Sequence, residues 1–430
     1  MEGQCDFINE QHIEQELAVA KQAGVEKVQE LIDKALSLKG LTSAEAAILL
    51  QVDNEDVIHQ MMQAAGSIKA RLFGQRIVLY APLYLSNECC NNCLYCGFRR
   101  DNTLEQRKTL TVAEIAAEAR VLVNQGQTIA LLVSGEDPAK SNIEYLLEAV
   151  KAVYSTGIKR VDMEVAPLPV EDLVRLKAAG VGTVVLFQET YHLQTYQQMH
   201  PVGKKAIYKW RLSAMDRIMQ AGFRDVGIGA LFGLYDYKFE VLALLKHAKH
   251  LAQTYGVGPR TICIPRLRPA LGSALQSPPQ PVSDWDFKKL IAVMKLALPY
   301  TGICLSTREL PALREELFNA GIVQLSAGSR TNPGGYTGEE RHDEEQFPIE
   351  DGRSVEEMSI VIGEQGFLPS FCTDCFSSKR DGAKWMEYAQ QEAMPEICNA
   401  QAVKSLLRYR EKCSPEKLAS LDQIIKKYQI

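Results

Sequence analysis

Eight short runs of β-branched and apolar residues, separated by segments of helical periodicity, constrain the fold of this chain more than any other feature. We predict strands at 76–85, 128–134, 160–165, 183–187, 225–230, 260–264, 302–306 and 322–325. Strands joined by helix-length crossovers pair in parallel, because a short turn cannot reach a parallel neighbour. Eight such units in roughly 250 residues predict an α/β fold of the (β/α)8 barrel type, with a doubly wound open sheet as the alternative.

The segments before and after the predicted barrel differ from it in pattern. The first part of the chain alternates helical periodicity with glycine stops, and Thr42 and Glu45 have the spacing of a capping box. We therefore expect a helical N-terminal extension over 1–75, the barrel over 76–345 and a small C-terminal domain over 346–430.

Composition excludes several classes of protein. The 430 residues are 46% hydrophobic and carry a net charge of −5, with scattered Lys and Arg, so we expect no nucleic-acid partner. No apolar run reaches the roughly 18 residues of a membrane span, and the acidic start of the chain is unlike a signal peptide. We expect a cytoplasmic protein without a membrane partner, in which the eleven cysteines are reduced thiols or metal ligands.

Three cysteines directly follow the first predicted strand. Cys89, Cys93 and Cys96 have C-x3-C-x2-C spacing, which suits a [4Fe–4S] cluster with one iron open to an outside ligand. A structural zinc site is the alternative, but zinc needs four ligands that usually come as two separated pairs. Adjacent Cys89 and Cys90 rarely bind one ion, so we expect Cys90 to pack rather than to ligate.

Polar residues follow most of the predicted strands. A barrel places the carboxyl ends of its strands at one face, where active sites form. The segments that we expect at that face include Ser134-Gly135-Glu136-Asp137, Glu164, Gln188-Glu189-Thr190-Tyr191-His192, Ser306-Thr307-Arg308-Glu309 and Ser326-Ala327-Gly328-Ser329-Arg330.

The cysteine spacing and the Ser-Gly-Glu segment together resemble the radical SAM superfamily. The resemblance implies that S-adenosylmethionine (SAM) binds the open iron, and that an electron from a donor such as ferredoxin or flavodoxin releases a 5′-deoxyadenosyl radical. By the same resemblance, the cofactor-binding residues are Tyr95, Phe98, Gly135, Glu136 and Glu164. Gly135 and Glu136 contact the methionine amino group, Glu164 bonds the ribose, and the backbone beside Tyr95 and Phe98 packs on adenine. A structural ion pair is the alternative role for Glu164.

A second cysteine group lies near the end of the chain. Cys372, Cys375 and Cys398 have C-x2-C-x22-C spacing, which is typical of metal ligands in a cytosolic protein. One interpretation is a zinc site closed by Cys413 or a carboxylate, because no histidine follows Cys398. The interpretation we favour is a second iron–sulfur cluster with an open or externally ligated iron.

Four further motifs resemble the tyrosine lyases of the same superfamily: Gln-Glu-Thr-Tyr-His, Pro-Arg-Leu-Arg-Pro, Ser-Thr-Arg-Glu and Pro-Gly-Gly-Tyr. The C-terminal cysteine spacing resembles the [FeFe]-hydrogenase maturase branch, and 2-iminoacetate synthases lack it. The resemblance implies cleavage of the Cα–Cβ bond of L-tyrosine to p-cresol and dehydroglycine. Carbon monoxide and cyanide then form at the second cluster, with an extra iron and other hydrogenase maturases as partners.

Candidate substrate-binding residues follow from the chemistry of tyrosine. Arg308 is suited to bind its carboxylate, unless Arg308 forms an ion pair with Glu309 or another acid. Ser326 or Ser329 adds a hydroxyl, and Tyr191 and His192 are candidates for handling the phenol proton, although a lone histidine is more often structural.

One position departs from the maturase pattern. A histidine that ligates the extra iron is expected shortly before Pro-Arg-Leu, where this chain has Arg260, which is not a metal ligand. Cys263 either substitutes for that ligand or packs inside a strand. Two alternatives therefore stay open: a 2-iminoacetate synthase or related amino-acid lyase with structural C-terminal cysteines, and an iron–sulfur carrier or scaffold. A carrier has no use for a SAM pocket.

Overall fold

The chain forms a closed parallel β-barrel surrounded by helices. This computed structural model describes residues 6–338, 345–378 and 380–428. Its strands are β1 Arg76–Ser86, β2 Ile129–Ser134, β3 Arg160–Glu164, β4 Val181–Glu189, β5 Val226–Ala230, β6 Thr261–Cys263, β7 Gly302–Leu305, β8 Ile322–Ser326 and β9 Leu368–Ser370.

The helices are α1 Glu10–Ala20, α2 Val25–Leu36, α3 Ser43–Leu49, α4 Glu55–Phe73, α5 Val112–Asn124, α6 Ile143–Ser155, α7 Val170–Ala178, α8 Leu193–Met199, α9 Tyr208–Leu212, α10 Ala214–Gln220, α11 Tyr237–Tyr255, α12 Asp284–Ala297, α13 Pro311–Leu317, α14 Val355–Glu364, α15 Asp374–Ser377, α16 Gly382–Gln390, α17 Met394–Tyr409 and α18 Pro415–Tyr428. None of the helices in the described ranges is both long and apolar enough to cross a membrane.

Strand pairing confirms the predicted barrel. Neighbouring strands follow chain order from β2 to β8, β8 pairs with β1, and the pairing of β1 with β2 closes the circle. All of these pairs are parallel. The eight predicted strands are therefore present, and the open-sheet alternative is wrong.

The N-terminal helices cover the outside of this barrel. The predicted capping box is present at the start of α3, where the backbone N–H of Thr42 donates to a Glu45 carboxylate oxygen at 2.8 Å. Helix α4 packs along α12, which precedes β7. The extension thus adds a helical layer to one side of the barrel.

Side chains of β1 alternate between two environments, as expected for a strand with a period of two residues. Ile77, Leu79 and Ala81 belong to the large apolar core between barrel and helices, whereas Val78 and Tyr80 belong to a separate cluster inside the barrel. The lumen also contains polar side chains around an open cavity. This space makes the barrel interior a binding region.

Strand β9 was not predicted. It has three residues, one of them Pro369, and therefore lacks a recognisable strand pattern. It pairs in parallel with the first residues of β1, Arg76–Val78. The chain that follows covers the amino-terminal end of the barrel, where the Thr128 hydroxyl donates to the Phe371 carbonyl oxygen at 2.7 Å. The C-terminal cysteines consequently lie at the end of the barrel opposite to Cys89, Cys93 and Cys96.

Candidate active site

The first cysteine group lies in the loop after β1 and is supported by the end of β2. The Cys90 backbone N–H donates to the Glu136 carbonyl oxygen at 2.8 Å, and the Asn91 amide donates to the Glu136 carboxylate at 2.6 Å. The same amide lies 3.7 Å from the Cys89 sulfur. A Cβ on Gly135 would lie 2.3 Å from the Glu88 carbonyl oxygen, so this close approach of two backbones requires glycine.

Burial shapes the chemistry of these thiols. It raises the pKa of Cys93 to about 11, while nearby Lys205 opposes the rise. It also raises the pKa of Cys96 to about 12, to which repulsion from Cys93 and Cys89 adds. Buried Cys93 and the partly exposed Cys89 and Cys96 lose their protons when positive iron is bound, which fits a cluster.

The arrangement does not resemble a single-ion site. In the described part of the chain, no three Cys, His, Asp or Glu side chains converge as ligands of one metal ion. Thiolates of a [4Fe–4S] cube bind separate irons and need not converge on a point, whereas zinc requires convergence. The C-x3-C-x2-C spacing of the β1 loop is what favours a cluster over zinc.

Tyr95 and Phe98 stabilise the cysteine loop from within. The Tyr95 hydroxyl shares a hydrogen bond of 2.8 Å with Nε2 of His200. The Phe98 ring lies edge-on to Tyr84, with centroids 5.8 Å apart, and its carbonyl oxygen accepts from Arg107 at 2.9 Å. Both side chains are buried, so only their backbones remain as candidates for contact with adenine.

Glu164 ends β3 at the wall of the central cavity. Within the described ranges no donor forms a hydrogen bond with its carboxylate, and no cation forms an ion pair with it. Burial raises the pKa of Glu164 to about 7, and the negative charge of Glu189 adds to this effect. A carboxylate without a protein partner fits a ligand-binding role better than the structural ion pair.

A charged cluster close to Glu164 was missed by sequence reasoning. Lys205 and Arg211 lie 2.6 Å and 3.3 Å from the same Glu189 oxygen. Glu189 has a left-handed backbone, with φ of 71°, which costs energy for any residue but glycine and is often found at functional sites. Glu189 belongs to a motif that we identified, but Lys205 and Arg211 carry no sequence signal.

The cavity runs through the barrel and has a volume of about 160 Å³. Towards the carboxyl ends of the strands it is lined by Tyr84, Glu164, Arg308 and Ser329, and towards the amino ends by the C-terminal cysteines. One interior space therefore connects the two ends of the barrel.

Arg308 is available to a ligand. Its guanidinium carbon lies 3.4 Å from the centre of the Phe347 ring. Glu309 is occupied by other cations, since it accepts from Arg266 at 3.0 Å and from Arg268 at 3.1 Å. The alternative in which Arg308 pairs with Glu309 is therefore wrong, and no described carboxylate lies within ion-pairing distance of Arg308.

Hydroxyl groups lie on the same wall. Ser326 ends β8 and lines the cavity, as does Ser329. The Ser329 hydroxyl is buried without a hydrogen-bond partner in the described part of the chain, so it has donor and acceptor capacity to offer.

Tyr191 and His192 lie elsewhere. The Tyr191 side chain is fully buried, and its hydroxyl bonds to His247 of α11 at 2.7 Å. The His192 ring stacks on Tyr235, with centroids 3.8 Å apart. Both side chains lie between the barrel wall and the surrounding helices rather than on the cavity. The structure does not bring them to the predicted phenol site, and the histidine has the structural role that we left open.

The second cysteine group lines the other end of the cavity. Cys372 follows β9, Cys375 lies in α15 and Cys398 lies in α17, and all three line the cavity. Cys413 is not among the lining residues, and its sulfur lies 3.8 Å from the Tyr409 carbonyl oxygen. The structure thus places Cys413 away from the cavity that the other three cysteines line.

Cys263 packs in the barrel wall. It is the register partner of Cys304 on β7, and the Tyr80 hydroxyl lies 3.3 Å from the Cys304 sulfur. This pairing gives Cys263 neighbours within the lumen cluster and supports the packing role.

Comparison with known proteins agrees with this geometry. Residues 83–248 match the family model of the radical SAM superfamily, and residues 263–368 match the biotin and thiamin synthesis associated domain. The chain is 36% identical over 346 residues to 2-iminoacetate synthase of Escherichia coli strain K12, an alignment that covers 79% of this chain and 89% of the relative. The chain belongs to the radical SAM superfamily.

Two solved structures are similar to this radical SAM enzyme over almost its whole length. The crystal structure of HydG, a maturase of the [FeFe]-hydrogenase, is 45% identical, with a TM-score of 0.95 and coverage of 98% of this chain and 93% of the other. HydG from Carboxydothermus hydrogenoformans is 38% identical, with a TM-score of 0.87 and coverage of 97% and 93%. Membership of the superfamily implies a [4Fe–4S] cluster, SAM and a small-molecule substrate, and these relatives make the chain a radical SAM enzyme of the lyase type.

Proposed function

We propose that this enzyme cleaves the Cα–Cβ bond of L-tyrosine to p-cresol and dehydroglycine. The observation that carries the proposal is Arg308, a guanidinium without a protein acid, which faces the cavity that also contains Glu164. A partly buried cation in need of an anion matches the carboxylate of an amino acid. The similarity to 2-iminoacetate synthase and to HydG supports a tyrosine-type lyase.

In this proposal the end of the barrel formed by the carboxyl ends of the strands binds the cofactors. Cys89, Cys93 and Cys96 hold the [4Fe–4S] cluster, which together with SAM supplies the 5′-deoxyadenosyl radical when both are bound. Glu164 accepts from the ribose hydroxyls, and the backbones around Gly135 and Phe98 contact the rest of SAM.

The substrate is oriented by the wall of the cavity in front of the cofactors. Arg308 binds the tyrosine carboxylate through two parallel N–H bonds, and its flat guanidinium is fixed by Phe347. Ser329 offers its unpartnered hydroxyl to the amino acid, and Ser326 lines the same wall. Holding the reacting bond in one orientation next to the cofactors lowers the entropic part of the barrier.

We further propose that C-terminal residues 346–430 carry a second iron–sulfur cluster on Cys372, Cys375 and Cys398. These cysteines share the cavity with Arg308, so dehydroglycine can reach them without leaving the protein. Carbon monoxide and cyanide formed there serve a precursor of the hydrogenase active site, with ferredoxin or flavodoxin as electron donor and other hydrogenase maturases as partners.

A second candidate function stops at dehydroglycine, as in a 2-iminoacetate synthase. Arg260 favours it, because this residue lines the cavity beside the C-terminal cysteines and cannot ligate an extra iron. Production of carbon monoxide separates the two candidates.

The test is an anaerobic assay of reconstituted protein with dithionite, SAM and tyrosine. Mass spectrometry follows 5′-deoxyadenosine and p-cresol, and capture by haemoglobin detects carbon monoxide. Formation of all three supports the maturase function, and p-cresol without carbon monoxide supports the second candidate. SAM cleavage without p-cresol contradicts tyrosine as the substrate, and absence of SAM binding in protein that retains its iron would support a carrier.

A further inference from the structure

Two cysteines that lie outside both cysteine groups face the interior of the barrel side by side. Cys263 on β6 and Cys304 on β7 are register partners of a parallel strand pair, and both line the cavity. Neighbouring strands lie about 4.8 Å apart, so residues in register on one face bring their side chains together. The Tyr80 hydroxyl of β1 lies 3.3 Å from the Cys304 sulfur. We call these three residues the thiol–phenol row.

The surroundings of the row are mostly apolar. The other described members of the cluster inside the barrel are aliphatic residues, Phe98 and Tyr84, and the Tyr84 hydroxyl donates to Gln346 at 2.7 Å. Aliphatic side chains fill most positions of this cluster, so packing alone does not require thiols at two adjacent positions. The pair therefore brings to the cavity a chemistry that its neighbours lack.

The hydrogens of the row stay in place at neutral pH. A hydrogen bond with Cys304, together with burial, holds the pKa of Cys263 well above its usual range. Burial also holds the pKa of Tyr80 well above its usual range, and the two thiols add to this effect. A thiol or phenol that keeps its proton is a weak nucleophile, but it retains an S–H or O–H bond.

The row faces the region in which the radical forms when the cofactors are bound. Cys96, one of the three cysteines of the β1 loop, packs against the same cluster inside the barrel. The charge of Glu164, which we assign to the ribose of SAM, acts on both Tyr80 and Cys263. The row and the expected position of SAM thus share one part of the cavity.

The S–H and phenolic O–H bonds are weaker than the C–H bonds of an aliphatic carbon. A primary carbon radical such as the 5′-deoxyadenosyl radical therefore takes hydrogen from a thiol with a release of free energy. Such a radical damages the protein when no substrate is present to react with it. Protonated thiols on the cavity wall are suited to end its lifetime without loss of a C–H bond from the chain.

We propose that the thiol–phenol row is a hydrogen-atom donor site that quenches carbon radicals in the cavity. The S–H bond of Cys263 or Cys304 breaks as a C–H bond forms, and the unpaired electron moves to sulfur. The sulfur regains hydrogen from the Tyr80 hydroxyl, which leaves a phenoxyl radical. One electron from the low-potential reductant that serves the cluster and one proton from water restore Tyr80. The site depends on radical formation from SAM but not on tyrosine as the substrate.

Anaerobic SAM cleavage by the reconstituted full-length protein tests the site, in D2O with dithionite and without tyrosine or added thiols. Thiol and phenol hydrogens exchange with D2O, whereas carbon-bound hydrogens do not. The 5′-deoxyadenosine that the row quenches should therefore carry one deuterium, which mass spectrometry detects. The double variant Cys263→Ser with Cys304→Ser should lose most of this label, because an alcohol O–H bond is too strong to supply hydrogen. Equal labelling in the double variant and the unmodified protein would overturn the site.

Cys413→Ser is the matched control, because it makes the same change at a thiol outside the cavity. It should keep the full deuterium label. Iron analysis should show that the double variant retains its clusters, so that loss of label reports hydrogen transfer rather than cluster loss. Loss of the label in Tyr84→Phe, with retention in the double variant, would assign the donor to Tyr84 and overturn the row.

Paramagnetic resonance of freeze-quenched samples separates the role of Tyr80 from that of the thiols. The unmodified protein should show a phenoxyl signal that becomes narrower when the protein contains ring-deuterated tyrosine. Tyr80→Phe should remove this signal but keep the deuterium label, because both thiols remain. A phenoxyl signal that persists in Tyr80→Phe would overturn the place of Tyr80 in the row.

The outcomes distinguish this inference from the proposed function. Labelled 5′-deoxyadenosine that depends on the two thiols, without p-cresol in the tyrosine assay, would refute the tyrosine lyase and leave the donor site intact. Formation of p-cresol, with labelling that does not respond to the double variant, would refute only the donor site.

Discussion

The two cysteine groups lie at opposite ends of one barrel and are assembled in different ways. Cys89, Cys93 and Cys96 come from a single loop that is bonded to the end of β2. Cys372 and Cys375 are three residues apart, and Cys398 joins them because its helix α17 packs against β9, which pairs with the start of β1. The first group depends on local geometry and the second on tertiary structure.

Their electrostatic surroundings also differ. The first group lies near the Glu189, Lys205 and Arg211 cluster, in which the acid is paired with both cations. The second group lies near Arg76 and Arg260, which retain free donor groups. At the carboxyl end of the strands the acid and its two cations pair with each other, whereas at the amino end single arginine nitrogens face the C-terminal cysteines.

Removal of one cysteine from each end should have the largest effect. Cys93→Ala should reduce 5′-deoxyadenosine formation to the background level, because an incomplete ligand set cannot hold the cluster that cleaves SAM. Cys375→Ala should lose about half of the cluster iron but retain 5′-deoxyadenosine and p-cresol. Iron analysis and mass spectrometry measure both effects. Loss of p-cresol in Cys375→Ala would show that the two ends are not independent.

Arg308→Gln should have the next largest effect. The loss of a charge-assisted bidentate contact should raise the KM for tyrosine by about 10- to 100-fold. The affinity for SAM should change little, since Arg308 is proposed to contact the substrate. Steady-state p-cresol kinetics measure the effect, with Arg175→Gln, which removes a guanidinium from an exposed ion pair with Glu144, as a control. An unchanged KM would mean that another cation binds the carboxylate.

The pH dependence of SAM binding tests the role of Glu164. Burial raises its pKa to about 7, so the carboxyl group is mainly protonated below that pH and charged above it. The charged form is the better acceptor for ribose hydroxyls, and SAM affinity should rise about tenfold from about pH 6 to about pH 8. Equilibrium binding measures this rise, which Glu164→Gln should remove. A rise that persists in the variant would assign the titration to another group.

The raised pKa of Glu164 affects the stability of the protein in the opposite direction from SAM affinity. A carboxyl group with a raised pKa binds more protons in the folded state, so its contribution to the free energy of unfolding is lost as the pH rises from about 4.5 through 7. Denaturant unfolding of the unmodified protein should therefore show a decline over this range relative to Glu164→Gln.

Cys413→Ser should have the smallest effect. Its sulfur contacts the Tyr409 carbonyl oxygen rather than the cavity, so iron content and carbon monoxide production should equal those of the unmodified protein. Cys375→Ala, which should lose iron, is the positive control. A lower iron content in Cys413→Ser would show that Cys413 is a metal ligand.

Most of the fold was predictable because its signals are local. Each barrel strand is a short apolar run that can be read within about ten residues, and crossover length predicts parallel pairing. Strand β9 escaped prediction because three residues that include a proline have no pattern. We predicted that Tyr191 and His192 face the cavity, but residues at a strand end can point to either side of the barrel wall. Here Tyr191 bonds to α11 and His192 bonds to α8, so both side chains point towards the helices.

By itself, the sequence determined the barrel and the first cysteine loop, since each depends on neighbours along the chain. Only the tertiary structure decided that Arg308 is free of Glu309, that the C-terminal cysteines face the same cavity, and that Arg76 and Arg260 share a pocket. Those features depend on which of several possible partners lies nearest in space. A charged side chain has the same sequence signal whether it is paired or free, and its partner is chosen by the packing of distant strands.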